Sequence, residues 1–230
     1  MPALPGLSLS AVITEDWLTD TRASYDTVAA SYADHVRDLL DRTPYERAFL
    51  GLFADMVRAT GGGPVADVGC GSGRIAAHLR ALGVDAFGID LSPEMVEVAR
   101  REHPGTRFEV GSMTDLEPAD ASLAGLVAWY SVIHVPDDAL GRVFAHFRRV
   151  LRPGGPLLLA YHVGDGPRLI TQGYGGHPMN VRVHRRRPED LADRLDRAGF
   201  TVEAQMTLTS AESRLGGVLM ARRHPDTAQE

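Results

Sequence analysis

The sequence predicts an α/β fold built around a doubly wound, mostly parallel sheet. Short apolar runs of strand length alternate with longer segments in which apolar residues recur at helical spacing. The first buried run, residues 65–68, breaks directly into a turn with glycines at positions 69, 71 and 73, and helical spacing resumes at Ile75. Such alternation is typical of βαβ units, in which helices cover both faces of a parallel sheet.

Length and composition bound the class of protein. The chain has 230 residues, 44% of them hydrophobic and 23% charged, as in an ordinary globular domain. Its net charge of −6 gives no basic field that would attract nucleic acid, and no apolar run approaches the roughly 20 residues of a membrane span. The one cysteine, Cys70, excludes an internal disulfide and fits a reducing cytoplasm. We expect a cytoplasmic monomer or homodimer that binds neither nucleic acid nor membrane.

One domain is expected over residues 15–223, after a loose leader at 1–14 and before a loose tail at 224–230. Residues 15–60 are predicted to form a helical lid, because apolar side chains recur there near helical spacing. The last two strands are predicted at 200–208 and 216–223 as an antiparallel hairpin, which brings the sheet to seven strands.

Two tyrosines and a helix start mark the predicted lid. Tyr25 and Tyr32 lie seven residues apart and therefore share one helix face. They either pack the lid against the main body or border a ligand. Thr43 followed by Pro44 predicts the N-cap and first turn of a second helix.

The glycine turn favours a nucleotide-like cofactor, because a backbone without Cβ atoms can approach a ligand closely. A dinucleotide fingerprint would place Gly or Ala at the sixth position from Gly69, where Arg74 stands, and Gly73 comes one residue early. A Walker loop would need a lysine that this stretch lacks. A nicotinamide oxidoreductase is therefore disfavoured.

The second strand, residues 84–89, ends at Asp90. The spacing from Gly71 to Asp90 is close to the roughly 20 residues at which an acidic side chain meets a ribose in βαβ nucleotide sites. One carboxylate can accept hydrogen bonds from both ribose hydroxyls. Ser92 and Pro93 then predict the cap and first turn of the next helix.

Three further strands, predicted at residues 107–110, 123–130 and 156–163, carry suitable side chains at their ends. Ligands in a doubly wound sheet bind outside the carboxyl ends of the strands. We therefore expect the following residues to face a ligand: Tyr130, Ser131, His134 and His162.

Residues 164–187 interrupt the alternation of strand and helix and hold five glycines. A short strand is predicted over 180–184, with Val181 and Val183 facing the interior. The arginines at 185–187 are expected on a solvated edge, with an anion site as the alternative. Insertions at this place commonly build a substrate pocket, and the candidates for substrate contact are Tyr174, His177 and Arg182.

Three stretches occur in the order typical of one enzyme family. They are Asp67-x-Gly-x-Gly-x-Gly73, the string Ile-Asp-Leu-Ser-Pro-Glu-Met at 89–95, and Phe-Arg-Arg-Val-Leu-Arg-Pro-Gly-Gly at 147–155. They resemble motif I, motif II and the segment before the fifth strand of the class I S-adenosylmethionine-dependent methyltransferases. The pattern Tyr-Asp-x-x-Ala-x-x-Tyr at 25–32 resembles the lid of the small-molecule members.

This resemblance implies a Rossmann-like seven-stranded sheet with a C-terminal antiparallel hairpin and an N-terminal helical lid. It implies S-adenosylmethionine as cofactor and S-adenosylhomocysteine as product. Where the family often has an aspartate beside the adenine, Ser112 stands here. The cofactor contacts carried over by position are Tyr25, Tyr32, Asp67, Gly69, Gly71, Gly73, Asp90, Leu91, Ser112, Met113 and Trp129.

Methyl transfer from a sulfonium mainly requires alignment, and a base is needed only when the acceptor arrives protonated. His134 is the first candidate base because histidine titrates near neutrality, and His162 and Tyr130 follow. The histidines show no metal-ligand spacing, so no metal is expected. The expected function is methylation of a small molecule, at oxygen rather than nitrogen or carbon, of a type found in secondary metabolism. The alternatives are a different reaction of the same cofactor and a non-catalytic, cofactor-binding subunit.

Overall fold

A computed structural model describes residues 9–209 and 215–226, with the backbone alone at 9–15 and 215. Its strands run in the order β3-β2-β1-β4-β5-β9-β8 in one seven-stranded sheet, and β6 and β7 form a separate pair. The sheet is parallel except for β9, which is antiparallel to both neighbours, so the predicted fold class is confirmed. The strands are β1 (Pro64–Val68), β2 (Asp85–Asp90), β3 (Phe108–Val110), β4 (Gly125–Trp129), β5 (Pro156–His162), β6 (Pro167–Gly173), β7 (His177–His184), β8 (Phe200–Thr209) and β9 (Leu215–Arg223).

Helices cover both faces of the sheet. Phe53 and Leu79 are buried against one face of the sheet, and Phe147 and Leu195 are buried against the other. No helix within the described ranges is long and apolar enough to cross a membrane. The helices are α1 (Leu9–Val36), α2 (Leu39–Arg42), α3 (Pro44–Ala59), α4 (Arg74–Ala81), α5 (Pro93–Glu102), α6 (Asp137–Val150) and α7 (Pro188–Arg197).

The topology places a crevice at the carboxyl ends of β1 and β4. The chain passes from β1 outward to β2 and β3 and then returns to β4 on the other side of β1, with Val65 aligned to both Ala86 and Gly125. At such a reversal of strand order the loops on either side diverge and leave room for a ligand.

Two predicted helix caps have different outcomes. Ser92 caps α5 as expected, because its Oγ accepts a hydrogen bond from the Met95 amide at 3.1 Å. Thr43 precedes Pro44 as expected but makes no side-chain cap. Its hydroxyl instead donates to the carbonyl of Leu39 at 2.7 Å, since the first residue of α2, four positions earlier, supplies an acceptor close by.

The predicted insertion contains a β-hairpin rather than one short strand. Its first strand, β6, has no counterpart among the predicted strands, and β7 begins three residues earlier than expected. Val181 is buried as predicted and packs with Met179 against Val28 of the lid helix α1. That helix begins at Leu9, inside the stretch expected to be a loose leader.

Candidate active site

The turn after β1 presents bare backbone to the crevice. Gly69 has φ +75° and Gly71 has φ +53°, a region that favours glycine. A Cβ added at Gly69 would overlap the side chain of Ser131, and one at Gly71 would lie 3.2 Å from the ring of Tyr32. The loop thus lies between Ser131 and Tyr32, and a side chain at Gly69 or Gly71 would collide with or crowd one of them.

Asp67 and Gly73, the two ends of the same motif, join the glycine loop to the first turn of α4. Gly73, at φ +81°, is the N-cap of α4, and a Cβ there would overlap the ring of Phe108. Asp67 is fully buried, and its Oδ2 accepts a hydrogen bond from the Ala76 amide at 3.1 Å. Burial raises the pKa of Asp67 to about 7, although the charge of Arg74 opposes the shift. Neither residue lines the cleft described below.

Asp90 joins the glycine loop to the start of α5. Its Oδ2 accepts from the Gly71 amide at 2.7 Å and its Oδ1 from the Ser92 amide at 2.9 Å. Burial raises the pKa of this carboxyl, while the bonds from the two amides favour its charged form. Because each carboxylate oxygen has two lone pairs, both retain an acceptor position for a hydroxyl group.

One cavity of about 690 Å³, counted with its open mouth, lies over this loop. It brings together most of the side chains expected at a cofactor and adds Tyr130 and His134, the predicted catalytic residues nearest to them. The predicted cofactor residues that line it are Tyr25, Tyr32, Gly69, Gly71, Asp90, Leu91, Ser112, Met113 and Trp129.

The first half of α1 supplies a wall that the sequence interpretation missed. Trp17 and Thr21 line the cavity together with Tyr25. The three residues are spaced four apart, so they form one stripe along the helix. Extending the helical stripe backward from Tyr25 would have indicated both residues.

Tyr25 and His134 form a hydrogen-bonded pair within this cavity. His134 Nδ1 lies 3.1 Å from the carbonyl oxygen of Arg182, and Nε2 lies 2.7 Å from the hydroxyl of Tyr25. A carbonyl oxygen only accepts, so Nδ1 carries the hydrogen of a neutral imidazole, and the Tyr25 hydroxyl donates to Nε2.

Burial determines the protonation state of His134. It lowers the pKa of the imidazole to about 4, with smaller lowering by His162 and His184, against the bond to the Arg182 carbonyl, which raises it. The expectation that this histidine titrates near neutrality is therefore wrong. Burial also raises the pKa of the Tyr25 phenol well above its usual value, so both partners of the pair are neutral near pH 7.

Tyr130 follows β4 with φ +52°, an unusual backbone for a tyrosine. Its ring lies 5.1 Å from that of His162 and 6.1 Å from that of Trp129, and burial raises the pKa of its phenol to about 12. His162 is the last residue of β5 and does not line the cavity. Of the three predicted catalytic residues, Tyr130 and His134 are thus brought together at the cleft.

The predicted substrate residues are distributed over the hairpin. Tyr174 packs its ring 5.0 Å from that of Tyr32, behind the cleft wall. His177 is exposed at the start of β7. Arg182 lines a second cavity, which shares Trp17, Thr21 and His134 with the first. Over the described part of the chain, no group of three or more His, Cys, Asp or Glu side chains is placed to hold a metal ion.

Arg186 differs from its neighbours and from the prediction of a solvated edge. Arg185 and Arg187 are exposed, and Arg187 pairs with Asp165 at 2.7 Å. Arg186 is only 5% exposed. Its Nη1 donates to the carbonyl of Val132 at 3.1 Å and its Nε to Asp137 at 3.0 Å. The turn beside β4 supplies acceptors that the sequence pattern did not reveal, and the arginine is buried against them.

Comparison with known proteins identifies the family. Residues 65–155, which contain all of β1 but its first residue, β2 to β4, the glycine loop and Asp90, match a family model described as a methyltransferase domain. The chain therefore contains a methyltransferase domain. Its cofactor is therefore S-adenosylmethionine, as the motif resemblance predicts.

Relatives of this methyltransferase carry several names. It is 28% identical to the malonyl-[acyl-carrier protein] O-methyltransferase of Pectobacterium atrosepticum over 79% of this chain and 69% of the relative. It is 32% identical to O-methyltransferase cnsE of Penicillium expansum over 60% of this chain and 52% of the relative. The aligned region thus spans about half to two thirds of these relatives.

A solved structure shares the fold. The 1,6-didemethyltoxoflavin-N1-methyltransferase of Burkholderia thailandensis, solved with 1,6-didemethyltoxoflavin and S-adenosylhomocysteine, superposes with a TM-score of 0.66 over 97% of this chain and 94% of its own. The two sequences are 22% identical.

The residues of this methyltransferase fit its cofactor. Gly71 presents bare backbone to the cavity, where a Cβ would lie 3.2 Å from the ring of Tyr32, and both oxygens of Asp90 retain an acceptor position. Ser112 and Met113 line the same cavity, where they offer a hydroxyl and apolar surface.

Proposed function

We propose that this methyltransferase transfers the methyl group of S-adenosylmethionine to a small, protic acceptor, with oxygen favoured over nitrogen or carbon. The observation that carries the proposal is that Asp90 and the neutral Tyr25–His134 pair line one cavity. In the proposal, the carboxylate that binds the ribose of the cofactor and the group that accepts the proton of the methyl acceptor therefore line the same cavity. The names of the two O-methyltransferase relatives support oxygen as the accepting atom.

The bound cofactor supplies an electrophilic methyl group on a sulfonium ion. In the proposal, Asp90 accepts hydrogen bonds from the ribose hydroxyls, and Ser112 and Met113 border the adenine. The rings of Tyr25, Tyr32 and Trp129 form an aromatic wall that favours a cation. Holding both reactants in line in such an enclosed site can supply on the order of 7–11 kcal/mol.

The acceptor proton has a defined route in this proposal. The acceptor hydroxyl donates to the oxygen of Tyr25, whose own hydrogen already points to His134 Nε2 at 2.7 Å. With an acceptor bound, the oxygen of Tyr25 would take the proton of the acceptor hydroxyl while the proton of Tyr25 passes to His134 Nε2. The Arg182 carbonyl at 3.1 Å stabilises the resulting imidazolium through Nδ1–H. Tyr130 and His162 remain alternative bases.

The second cavity is the proposed place for the body of the acceptor. Arg182, Asn180 and His184 alternate along β7 and line it, facing Trp17 and Asp138. These groups offer hydrogen-bond donors and acceptors around an indole, which suits a polar small molecule. Tyr174 and His177 remain candidates for acceptor contact farther along the hairpin.

Calorimetry with S-adenosylmethionine, S-adenosylhomocysteine and NAD tests the cofactor half of the proposal. We expect both sulfur compounds to bind and NAD to give no heat. Asp90→Asn should weaken S-adenosylhomocysteine binding more than tenfold, about 1.4 kcal/mol, because an amide offers one acceptor oxygen in place of two. Asp85→Asn is the matched control, since Asp85 is exposed at the start of the same strand. Equal affinity of both variants would remove Asp90 from the ribose site.

Turnover separates the proposal from its alternatives. A panel of small hydroxylated acceptors should release S-adenosylhomocysteine together with a methylated product. Cofactor turnover with a product that lacks the methyl group would indicate a different reaction, and cofactor binding without any turnover would favour a regulatory subunit. With an active acceptor, His134→Ala should lower kcat at least a hundredfold while leaving cofactor affinity within a few-fold.

A further inference from the structure

The turn that carries His134 is held from outside by one buried arginine. Residues 132–134 form a single 3-10 turn directly after Ser131. The guanidinium of Arg186 donates to the carbonyl oxygens of Val132 and Val135, one on each side of His134. The same side chain pairs with Asp137 at 3.0 Å, at the first residue of α6. Three acceptors of one short segment thus converge on one side chain.

The backbone of Arg186 is fixed as firmly as its side chain. Its amide donates to the carbonyl of His162 at 2.9 Å, and its carbonyl accepts from Gly164 at 3.3 Å. Arg186 is therefore anchored to the end of β5, a central strand of the sheet. Its planar guanidinium presents several donors in a rigid fork, which a lysine ammonium cannot reproduce. Any movement of the 132–135 turn would therefore strain its hydrogen bonds to the Arg186 guanidinium.

The hairpin also contacts the imidazole itself. Four residues before Arg186, the carbonyl of Arg182 accepts the Nδ1 hydrogen of His134 at 3.1 Å. For that bond to form, the position and the ring orientation of the imidazole relative to β7 must both be fixed. The hydrogen bonds from Arg186 fix the position of the 132–135 turn, and the bond to the Arg182 carbonyl fixes the tautomer of His134.

We propose that Arg186 is a positioning residue, which holds the 132–135 turn so that His134 keeps its Nδ1 hydrogen on Arg182 and offers Nε2 to Tyr25. This inference rests on the proposed function of His134 and adds a residue outside the cleft lining. It gives the inserted segment, residues 164–187, a role in placing the proton acceptor as well as in forming the acceptor pocket.

Imidazole nitrogen NMR of the full chain tests the proposal without any methyl acceptor. His134 should show one protonated and one unprotonated nitrogen, assigned by its loss in His134→Gln. In Arg186→Lys the fork is lost while the charge stays, so the Nδ1 and Nε2 signals of His134 should move toward the averaged values of exchanging tautomers. Arg187→Lys is the matched control, because Arg187 is exposed and pairs with the exposed Asp165. It should leave both signals unchanged.

A merely structural role would give a different pattern. In that case Arg186→Lys would lower the unfolding temperature yet leave the nitrogen signals of His134 as in the wild type, and this result would overturn the proposal. Should Arg186→Lys fail to fold, Asp137→Asn weakens the same contact from the α6 side and should shift the His134 signals in the same direction by a smaller amount. Unshifted signals there would also count against positioning.

The test remains separable from the proposed function. S-adenosylhomocysteine should bind Arg186→Lys within about twofold of the wild-type affinity, because Arg186 does not line the cofactor cavity. Failure of the wild type to bind that compound would contradict the function, whereas the tautomer of His134 in the ligand-free protein would still decide the role of Arg186.

Discussion

Gly71 shows how one residue can be limited by backbone and space together. Its φ of +53° disfavours any side chain, and a Cβ would stand 3.2 Å from the ring of Tyr32. We expect Gly71→Val to abolish binding of S-adenosylhomocysteine in calorimetry. Gly83→Val is the matched control, because Gly83 has φ +83° but nothing within 4 Å of the added Cβ. Both variants place a valine at positive φ, and only Gly71→Val should lose binding; retained binding in that variant would remove the loop from the site.

His134 makes the stability of the fold depend on pH in a definite direction. Its pKa is about 4 in the folded chain against an ordinary 6.5. Between these values the unfolded chain binds a proton that the folded chain does not, so stability falls as the pH drops. The full difference is about 3 kcal/mol near pH 4.

Replacing His134 by glutamine should remove that part of the pH dependence. We expect the free energy of unfolding in urea to fall less steeply between about pH 7 and about pH 4 in His134→Gln than in the wild type. Asp67, whose pKa is raised to about 7, acts in the opposite direction in both proteins, and the comparison cancels it. Parallel curves for the two proteins would contradict a buried, neutral His134.

The predictability of single residues depended on where their partners lie in the chain. Asp90 could be placed from the sequence because its partners, Gly71 and Ser92, belong to the same βαβ unit. The tautomer of His134 could not be predicted, because it is set by the carbonyl of Arg182, 48 residues away. Its low pKa could not be predicted either, because it results from burial in the folded chain. Local pattern determines the first kind of contact, and tertiary packing determines the second.

At the level of elements, one serine connects the lid to the cofactor side of the sheet. Ser92 caps α5 and also donates to Asp26 of α1 at 2.6 Å. Ser92→Ala should lower the free energy of unfolding by about 1–2 kcal/mol, since both bonds are lost. Ser31→Ala is the control, because Ser31 donates to the Val28 carbonyl of its own helix. An equal loss in both variants, measured by urea unfolding, would show that the cap contributes nothing beyond an ordinary hydroxyl contact.

The hairpin of β6 and β7 shows which elements a sequence pattern reveals. In β7 buried Met179 and Val181 alternate with exposed residues, and this alternation predicted part of the strand. In β6 no residue is buried, so its sequence carries no alternation to read. The strand exists because β7 offers it backbone partners, with Ile170 opposite Val181.

At the level of the whole molecule, the last two strands of the chain complete one side of the sheet. β9 lies between β5 and β8, and Leu157 and Leu159 of β5 are completely buried. A chain that ends at Gly199 should therefore lose cooperative unfolding, because β5 becomes an uncovered edge with apolar faces. A chain that ends at Asp226 keeps all nine strands and is the control. Circular dichroism during heating distinguishes the two, and a sharp transition in the shorter chain would contradict the expected dependence.

The placement of β9 also has a consequence for synthesis in the cell. The carboxyl-terminal neighbour of β5 is translated about 60 residues after β5 itself. At 5–20 residues per second, the ribosome leaves that edge unpaired for roughly 3–12 seconds. During this interval the nascent chain exposes an open strand edge, and a chaperone that shields such edges has a defined period in which to act.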